Sequence, residues 1–249
     1  MNQAVRPVLA GIIGGTGVGS RLGSMGTHTL HVPTPFGMLR AGYLEVEGVG
    51  VALIQRHGPG HKLPPHSVNY RAIAWGLRQL GAKACFATAA VGCLRPDWPP
   101  GTFVACTDFI DLTYRNLTLY ERGVQHVDFS DPFPDPALKA LFRGATSENT
   151  VLMSPATYVG ANGPRYETPA EIEVVRRLGG DVVGMTATSE AIALREAGVA
   201  YANLSIVTNL AAGMESEKTL DHEEVVDVME SRGDLAVRIL LSAVRSLAS

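Results

Sequence analysis

Short apolar runs, broken again and again by glycine, proline or amphipathic stretches, limit this chain's fold more than any other feature. Runs at 8–13, 51–55, 84–89, 103–107, 151–156, 182–185 and 200–208 have the length of buried strands. Helical spacing lies between several of them. Val68, Ile73, Trp75, Leu77 and Leu80 mark a helix near 66–81, and Ala170, Ile172, Val175 and Leu178 another near 168–179. A third is expected at 190–197. The last begins around Asp221 and carries Val225, Val228, Leu235, Val237, Ile239 and Leu240. Asp221, Glu223 and Glu224 would stand at its positive end. This alternation predicts an α/β fold over 1–249, with a mixed, largely parallel central β-sheet flanked by helices. With 249 residues, 46% of them hydrophobic, one domain can bury a sufficient core. The polar and aromatic stretch 114–135 reads as a long loop.

The charge balance excludes some classes of partner. A formal net charge of −3 argues against a nucleic-acid binder, which needs a basic face. No apolar run reaches ~18 residues, so no membrane span is expected. The opening Met-Asn-Gln-Ala-Val-Arg-Pro leads straight into a short apolar run, too short and wrongly flanked for a secretory leader. Cys85, Cys93 and Cys106 form an odd set without paired spacing, which suits a reduced, cytoplasmic setting.

Polar groups of three kinds stand where apolar runs start or stop. Gly14-Gly15-Thr16-Gly17-Val18-Gly19 follows a strand but misses the Gly-x-Gly-x-x-Gly spacing of a dinucleotide fingerprint, and no acid appears before Glu45. A glycine turn with one hydroxyl suits a small oxyanion; a tight turn without a ligand is the plain alternative. Arg56-His57 also follows a strand and offers a fork and a further donor, although a lone arginine is commonly a surface residue. His57, His61 and His66 are separated by prolines and glycines with no Cys or carboxylate beside them, so no metal is expected. Further on come Gly-Pro-Arg-Tyr-Glu-Thr at 163–168, Gly-Met-Thr-Ala-Thr-Ser-Glu at 184–190 and Val-Thr-Asn at 207–209.

These segments resemble, in collinear order, the trimeric purine nucleoside phosphorylases and the methylthioadenosine phosphorylases. Thr34-Pro35-Phe36-Gly37, Val68-Asn69-Tyr70-Arg71-Ala72, Thr88-Ala89-Ala90-Val91-Gly92 and Asp221-His222-Glu223-Glu224-Val225 extend the likeness over about 11–225. The resemblance implies phosphorolysis of a purine nucleoside, with inorganic phosphate as co-substrate and no other cofactor. It makes Thr16, Arg56, His57, the Ala90 N–H and Thr186 the phosphate ligands. Glu167 and Asn209 would read the purine edge and act as the catalytic pair. Tyr166 would pack on the base, Met185 on the ribose, and His222 would bond the 5′-hydroxyl. His126 aligns with a residue given to the neighbouring subunit, which implies a homotrimer that could double to a hexamer.

Each residue has a plainer reading beside that one. Glu167 also reads as a helix N-terminal acid, Asn209 as a turn residue closing a strand, His222 as a helix cap, Met185 as a core residue and Tyr166 as a structural aromatic. Within the resemblance, substrate choice turns on hydrogen-bond polarity. A 6-oxopurine carries N1–H, which a carboxylate accepts; a 6-aminopurine presents a lone pair, which it repels. Adenosine-type relatives have an aspartate in place of Asn209, a second in place of Ala211, and a small hydroxyl residue in place of Glu167. Hypoxanthine or guanine is therefore the expected base. Thr16 and Arg56-His57 look like the methylthioadenosine branch, while Glu167, Asn209 and His222 look like the inosine and guanosine branch. Ala89 stands where both usually have a polar residue. A methylthioinosine or methylthioadenosine phosphorylase is thus the first rival, a hydrolytic nucleosidase the second, and a silent nucleoside-binding protein the third. A serine or cysteine hydrolase has no support, since no Gly-x-Ser-x-Gly occurs.

Overall fold

A computed structural model describes residues 6–215 and 222–247. In chain order the elements are β1 (Val8–Gly14), α1 (Val18–Met25), β2 (His28–Thr34), β3 (Gly37–Val46), β4 (Val49–Gln55) and α2 (Tyr70–Leu80). Then come β5 (Ala84–Cys93), β6 (Phe103–Ala105), β7 (Asp108–Asp111), α3 (Ala137–Ser147), β8 (Thr157–Gly160) and α4 (Pro169–Arg177). The chain closes with β9 (Val182–Gly184), α5 (Ala187–Glu196), β10 (Ala200–Leu210) and α6 (His222–Leu247).

All ten strands join one sheet, ordered β2-β3-β4-β1-β5-β9-β8-β7, with β10 paired to β5 and β6. The centre is parallel: β4 with β1, β1 with β5, β5 with β10. β5 and β10 consist largely of small and apolar residues and are buried almost throughout, as a strand covered on both faces must be. Ile13, Leu77, Tyr201, Ala191 and Leu194 share one core layer, which takes in α2 and α5. Ile12, Leu22, Leu141, Leu204, Met229 and Leu240 share the other, which takes in α1, α3 and α6. Helix ends are fixed locally. The Asn69 side chain caps α2, which stops at Gly81 in the left-handed region (φ 89°). Thr168 and Glu171 form a reciprocal capping box with Pro169 at the first turn of α4.

Two irregularities open the sheet where ligands can enter. β5 is paired with β1 only at Ala84–Ala87 and with β9 only at Gly92–Cys93. Since β10 runs along its other edge, Thr88–Val91 have no strand partner on the β1 side among the described residues. The second is a register shift in β10 between Val207 and Asn209. Thr208 is the extra residue, and such a bulge re-aims the side chains beside it.

The structure corrects the expected elements in three places. The apolar run at 151–156 is not a strand: Val151 is 79% exposed, only Met153 forms a bridge, and the ladder begins at Thr157. The β2–β3 hairpin was not expected, because its residues alternate between covered and exposed, half-buried at most in β2 and fully buried in β3, instead of forming an apolar run. α1, α3 and the short strand β7 also lay outside the expectation; α1 is short and interrupted by Gly19 and Gly23. The stretch 114–135 contains no helix or strand. Among the described residues no helix is long and apolar enough to cross a membrane.

Candidate active site

The C-terminal ends of β1, β4, β5, β9 and β10 converge on a cavity of about 350 Å³. This is where open α/β sheets hold their ligands. Thr16 follows β1, Arg56 and His57 follow β4, Ala90 lies in the unpaired part of β5, and Met185 and Thr186 join β9 to α5. Thr208 and Asn209 end β10, and Tyr166 and Glu167 come from the segment before α4.

Arg56 is 2% exposed, and its guanidinium makes three hydrogen bonds to its surroundings. Its Nε and Nη2 donate to the two oxygens of Glu190 at 2.5 and 2.8 Å, and Nη1 donates to the Thr88 carbonyl at 2.8 Å. Burial opposes its charge, but the Glu190 carboxylate outweighs that and holds Arg56 protonated beyond its ordinary range. Gly15 makes room: a Cβ there would stand 2.4 Å from Arg56 Nη1. The Gly15 N–H donates to the Thr88 hydroxyl at 3.2 Å, tying the glycine turn to β5. Because successive residues of a strand face opposite edges, and Thr88 turns its carbonyl to Arg56, Ala90 presents its N–H to the same side. Thr186 is the N-cap of α5, makes no side-chain capping bond and lines the cavity. The positive end of α5 therefore faces the same space.

His57 differs from its expected role as a donor. Its Nδ1 lies 2.7 Å from the Leu63 carbonyl and so carries the ring proton. Burial first, and then the neighbouring Arg56 charge, lower its pKa to about 4. At neutral pH the ring is uncharged, and Nε2 is an acceptor suited to a protonated oxygen of an oxyanion. The His61 ring lies 4.3 Å from it, centroid to centroid.

Glu167 sits just outside α4, one residue before the Thr168 cap. The acid serving the helix terminus is Glu171, which also holds Arg165 with bonds of 2.7 and 2.8 Å. Burial raises the Glu167 pKa, the reverse of what a helix dipole would do to an acid at its N-terminus. Glu167 is thus a partly desolvated carboxylate lining the cavity. Asn209 is 7% exposed. Its Oδ1 accepts from the Thr208 hydroxyl and its Nδ2 donates to the Leu210 carbonyl, both at 2.8 Å, leaving one amide N–H beyond these bonds. The neighbouring bulge sets that orientation.

Of the residues singled out in the sequence, Thr16, Arg56, His57, Ala90, Tyr166, Glu167, Met185, Thr186 and Asn209 all line this cavity. His126 does not; it is exposed in the 114–135 stretch. Asp221 and the side chain of His222 lie outside the described residues, but Val225, one turn further along α6, is buried and forms part of the wall. Sequence reasoning quoted Glu190 only as the end of the 184–190 segment and missed its role, because its partner Arg56 is 134 residues away. It also missed Arg115, which donates to Tyr70 Oη, Ser189 Oγ, the Met185 carbonyl and both oxygens of Asn162 over 2.6–3.1 Å. That hub ties the long loop to the cavity wall.

Comparison with known proteins places the chain in a family. Residues 10–245 match the model of the phosphorylase superfamily. A 6-oxopurine nucleoside phosphorylase of Pyrococcus furiosus is 43% identical over 222 residues, covering 86% of this chain and 83% of that protein. A probable S-methyl-5′-thioinosine phosphorylase of Methanopyrus kandleri is 41% identical over 233 residues, covering 92% and 89%. Among solved structures, a methylthioadenosine phosphorylase from Schistosoma mansoni in complex with adenine superposes with a TM-score of 0.92 at 31% identity, covering 97% of this chain and 92% of that one. The chain belongs to the phosphorylase superfamily, among relatives named as purine nucleoside and methylthionucleoside phosphorylases.

Proposed function

We propose that this chain catalyses the reversible phosphorolysis of 6-oxopurine nucleosides, giving the free base and a pentose 1-phosphate. One observation carries the reading. A single cavity is lined both by a carboxylate and a carboxamide able to address a purine edge and by a buried arginine, two threonines and a free strand edge suited to an oxyanion. Cleavage of the glycosidic bond builds positive charge on the sugar and negative charge on the departing base. The remaining Asn209 N–H would donate to N7 as that negative charge grows, while Glu167 accepts N1–H and fixes the ring. Thr16, Arg56, Thr186 and the Ala90 N–H would hold phosphate beneath the anomeric carbon, with His57 Nε2 accepting from its hydroxyl. The phosphate charge then stabilises the sugar cation before attack, and positioning supplies the rate without a covalent enzyme intermediate. Tyr166 and Met185 would pack against base and ribose.

A second reading, phosphorolysis of 5′-methylthioinosine, rests on Val225. It is an apolar residue of α6 in the cavity wall, where a methylthio group is better matched than a hydroxyl. Both readings share the base. A homotrimer with His126 reaching the neighbouring pocket is part of the proposal, supported by the exposure of Tyr114, Val124 and His126 in one loop. Parallel rate assays on inosine, guanosine, adenosine and their 5′-methylthio analogues, with and without phosphate, test it. Cleavage independent of phosphate would overturn phosphorolysis, and preference for adenosine would overturn the base assignment.

A further inference from the structure

The proposed reaction leaves one buried acid without a task. Glu190 is 1% exposed, lies in the first turn of α5, and points its carboxylate into the core beneath the cavity floor rather than into the cavity. Its Oε2 accepts from Arg56 Nη2 and also from the Tyr201 hydroxyl at 2.6 Å. Tyr201 keeps its proton, since burial and the Glu190 charge both disfavour the phenolate. Behind it, Asn203 Nδ2 lies 3.4 Å from the Tyr201 oxygen, and Asn203 Oδ1 accepts from Ser205 Oγ at 2.5 Å. Tyr201, Asn203 and Ser205 alternate along one face of β10, and none exceeds 1% exposure. A row of polar side chains thus runs through an otherwise apolar layer and ends on one carboxylate.

A guanidinium carries five N–H donors. Glu190 takes Nε–H and one of Nη2, and the Thr88 carbonyl takes one of Nη1. One N–H on each Nη remains beyond these bonds. With the side edge of the fork fixed against Glu190, the opposite Nη1–Nη2 edge is the one left to grip an oxyanion in two places. We infer that Glu190 is a positioning residue: braced by the Tyr201–Asn203–Ser205 row, it sets which edge of Arg56 meets the phosphate. The inference rests on the phosphorolysis reading and adds to it a residue that never touches substrate.

The test is steady-state kinetics with varied phosphate on purified wild type, Glu190→Gln, Glu190→Asp and Tyr201→Phe, with urea unfolding alongside. Glu190→Gln turns one accepting oxygen into a donor, and Glu190→Asp withdraws the carboxylate by one methylene while keeping its charge. Both should raise KM for phosphate about tenfold or more, the scale of a lost charge-assisted hydrogen bond, and leave KM for the nucleoside unchanged. Tyr201→Phe keeps the volume and should raise it by about threefold, so the question stays open to decision if the Glu190 variants do not fold. A merely structural acid would lower unfolding stability and leave phosphate KM unmoved. An acid that only offsets the Arg56 charge would leave Glu190→Asp at wild-type KM and lower KM in Glu190→Gln. Either result overturns the inference. Cleavage by the wild type without phosphate would instead overturn the reading beneath it.

Discussion

The Arg56 cluster and the 163–168 segment face one cavity and are built in opposite ways. Arg56, Thr88 and Glu190 are all within 2% of full burial, stand at a strand end, within a central strand and at a helix start, and bind one another across 32 and 134 residues of sequence. Tyr166 and Glu167 lie on a half-exposed connection whose order comes from bonds within a few residues, Thr168 to Glu171 and Arg165 to Glu171. The side proposed for the anion is made of core, while the 163–168 segment proposed for the base is attached to it. Changes on the first should therefore disturb stability and activity together, and changes on the second activity alone.

The strongest break in that contrast comes from Arg56→Met, which strands Glu190 in the core. Its unfolding free energy in urea should fall by ~3–5 kcal/mol, as when one member of a buried pair is removed. Glu167→Gln should stay within ~0.5 kcal/mol of wild type, and equal losses in the two would erase the distinction. Asn209→Ala, at a strand end yet facing the base, should lower kcat with inosine ~100–1000-fold, the usual loss for a transition-state donor. A near-normal rate would remove Asn209 from the chemistry. Glu167→Ala should reduce kcat/KM with inosine ~10–100-fold, from one mispaired polar group, and adenosine turnover by less. Matching losses on both nucleosides would show that Glu167 does not discriminate between bases.

The smallest effect concerns His57. Its folded pKa near 4 lies below the ordinary 6.5, so between those values the unfolded chain binds the extra proton. Stability therefore falls as pH drops from about 6.5 toward 4. His57→Gln should flatten the pH dependence of unfolding in that window by at most ~1.4 kcal/mol per pH unit. An unchanged slope would mean that the imidazole is not held neutral.

The same contrast explains what the sequence made legible. β1, β4, β5 and β10 stood out because strands buried on both faces must be continuously apolar. α4 stood out because Ala170, Ile172, Val175 and Leu178 recur at helical spacing. β2 and β3 were hidden because one face of each meets solvent. On the cavity, Thr16, Arg56 and Asn209 were visible as polar groups at the ends of apolar runs, and Glu167 as one just before a helical pattern begins. Glu190, Thr88 and Arg115 act through partners far away in sequence, and no local pattern announces such a pairing. His57 was visible as a residue but not in its protonation state, which depends on the Leu63 carbonyl and the adjacent guanidinium.

The missing neighbour beside Thr88–Val91 also bears on endurance. A central strand paired on only one edge over four residues is held less firmly than its neighbours, and it lies where the proposed oxyanion would bind. A bound anion bridging that edge to the Arg56 cluster would act as a cross-tie, so the melting temperature should climb with the logarithm of phosphate concentration above its dissociation constant. In such an arrangement the co-substrate doubles as part of the scaffold, and a cell's phosphate supply sets how robust the enzyme is as well as how fast it turns over.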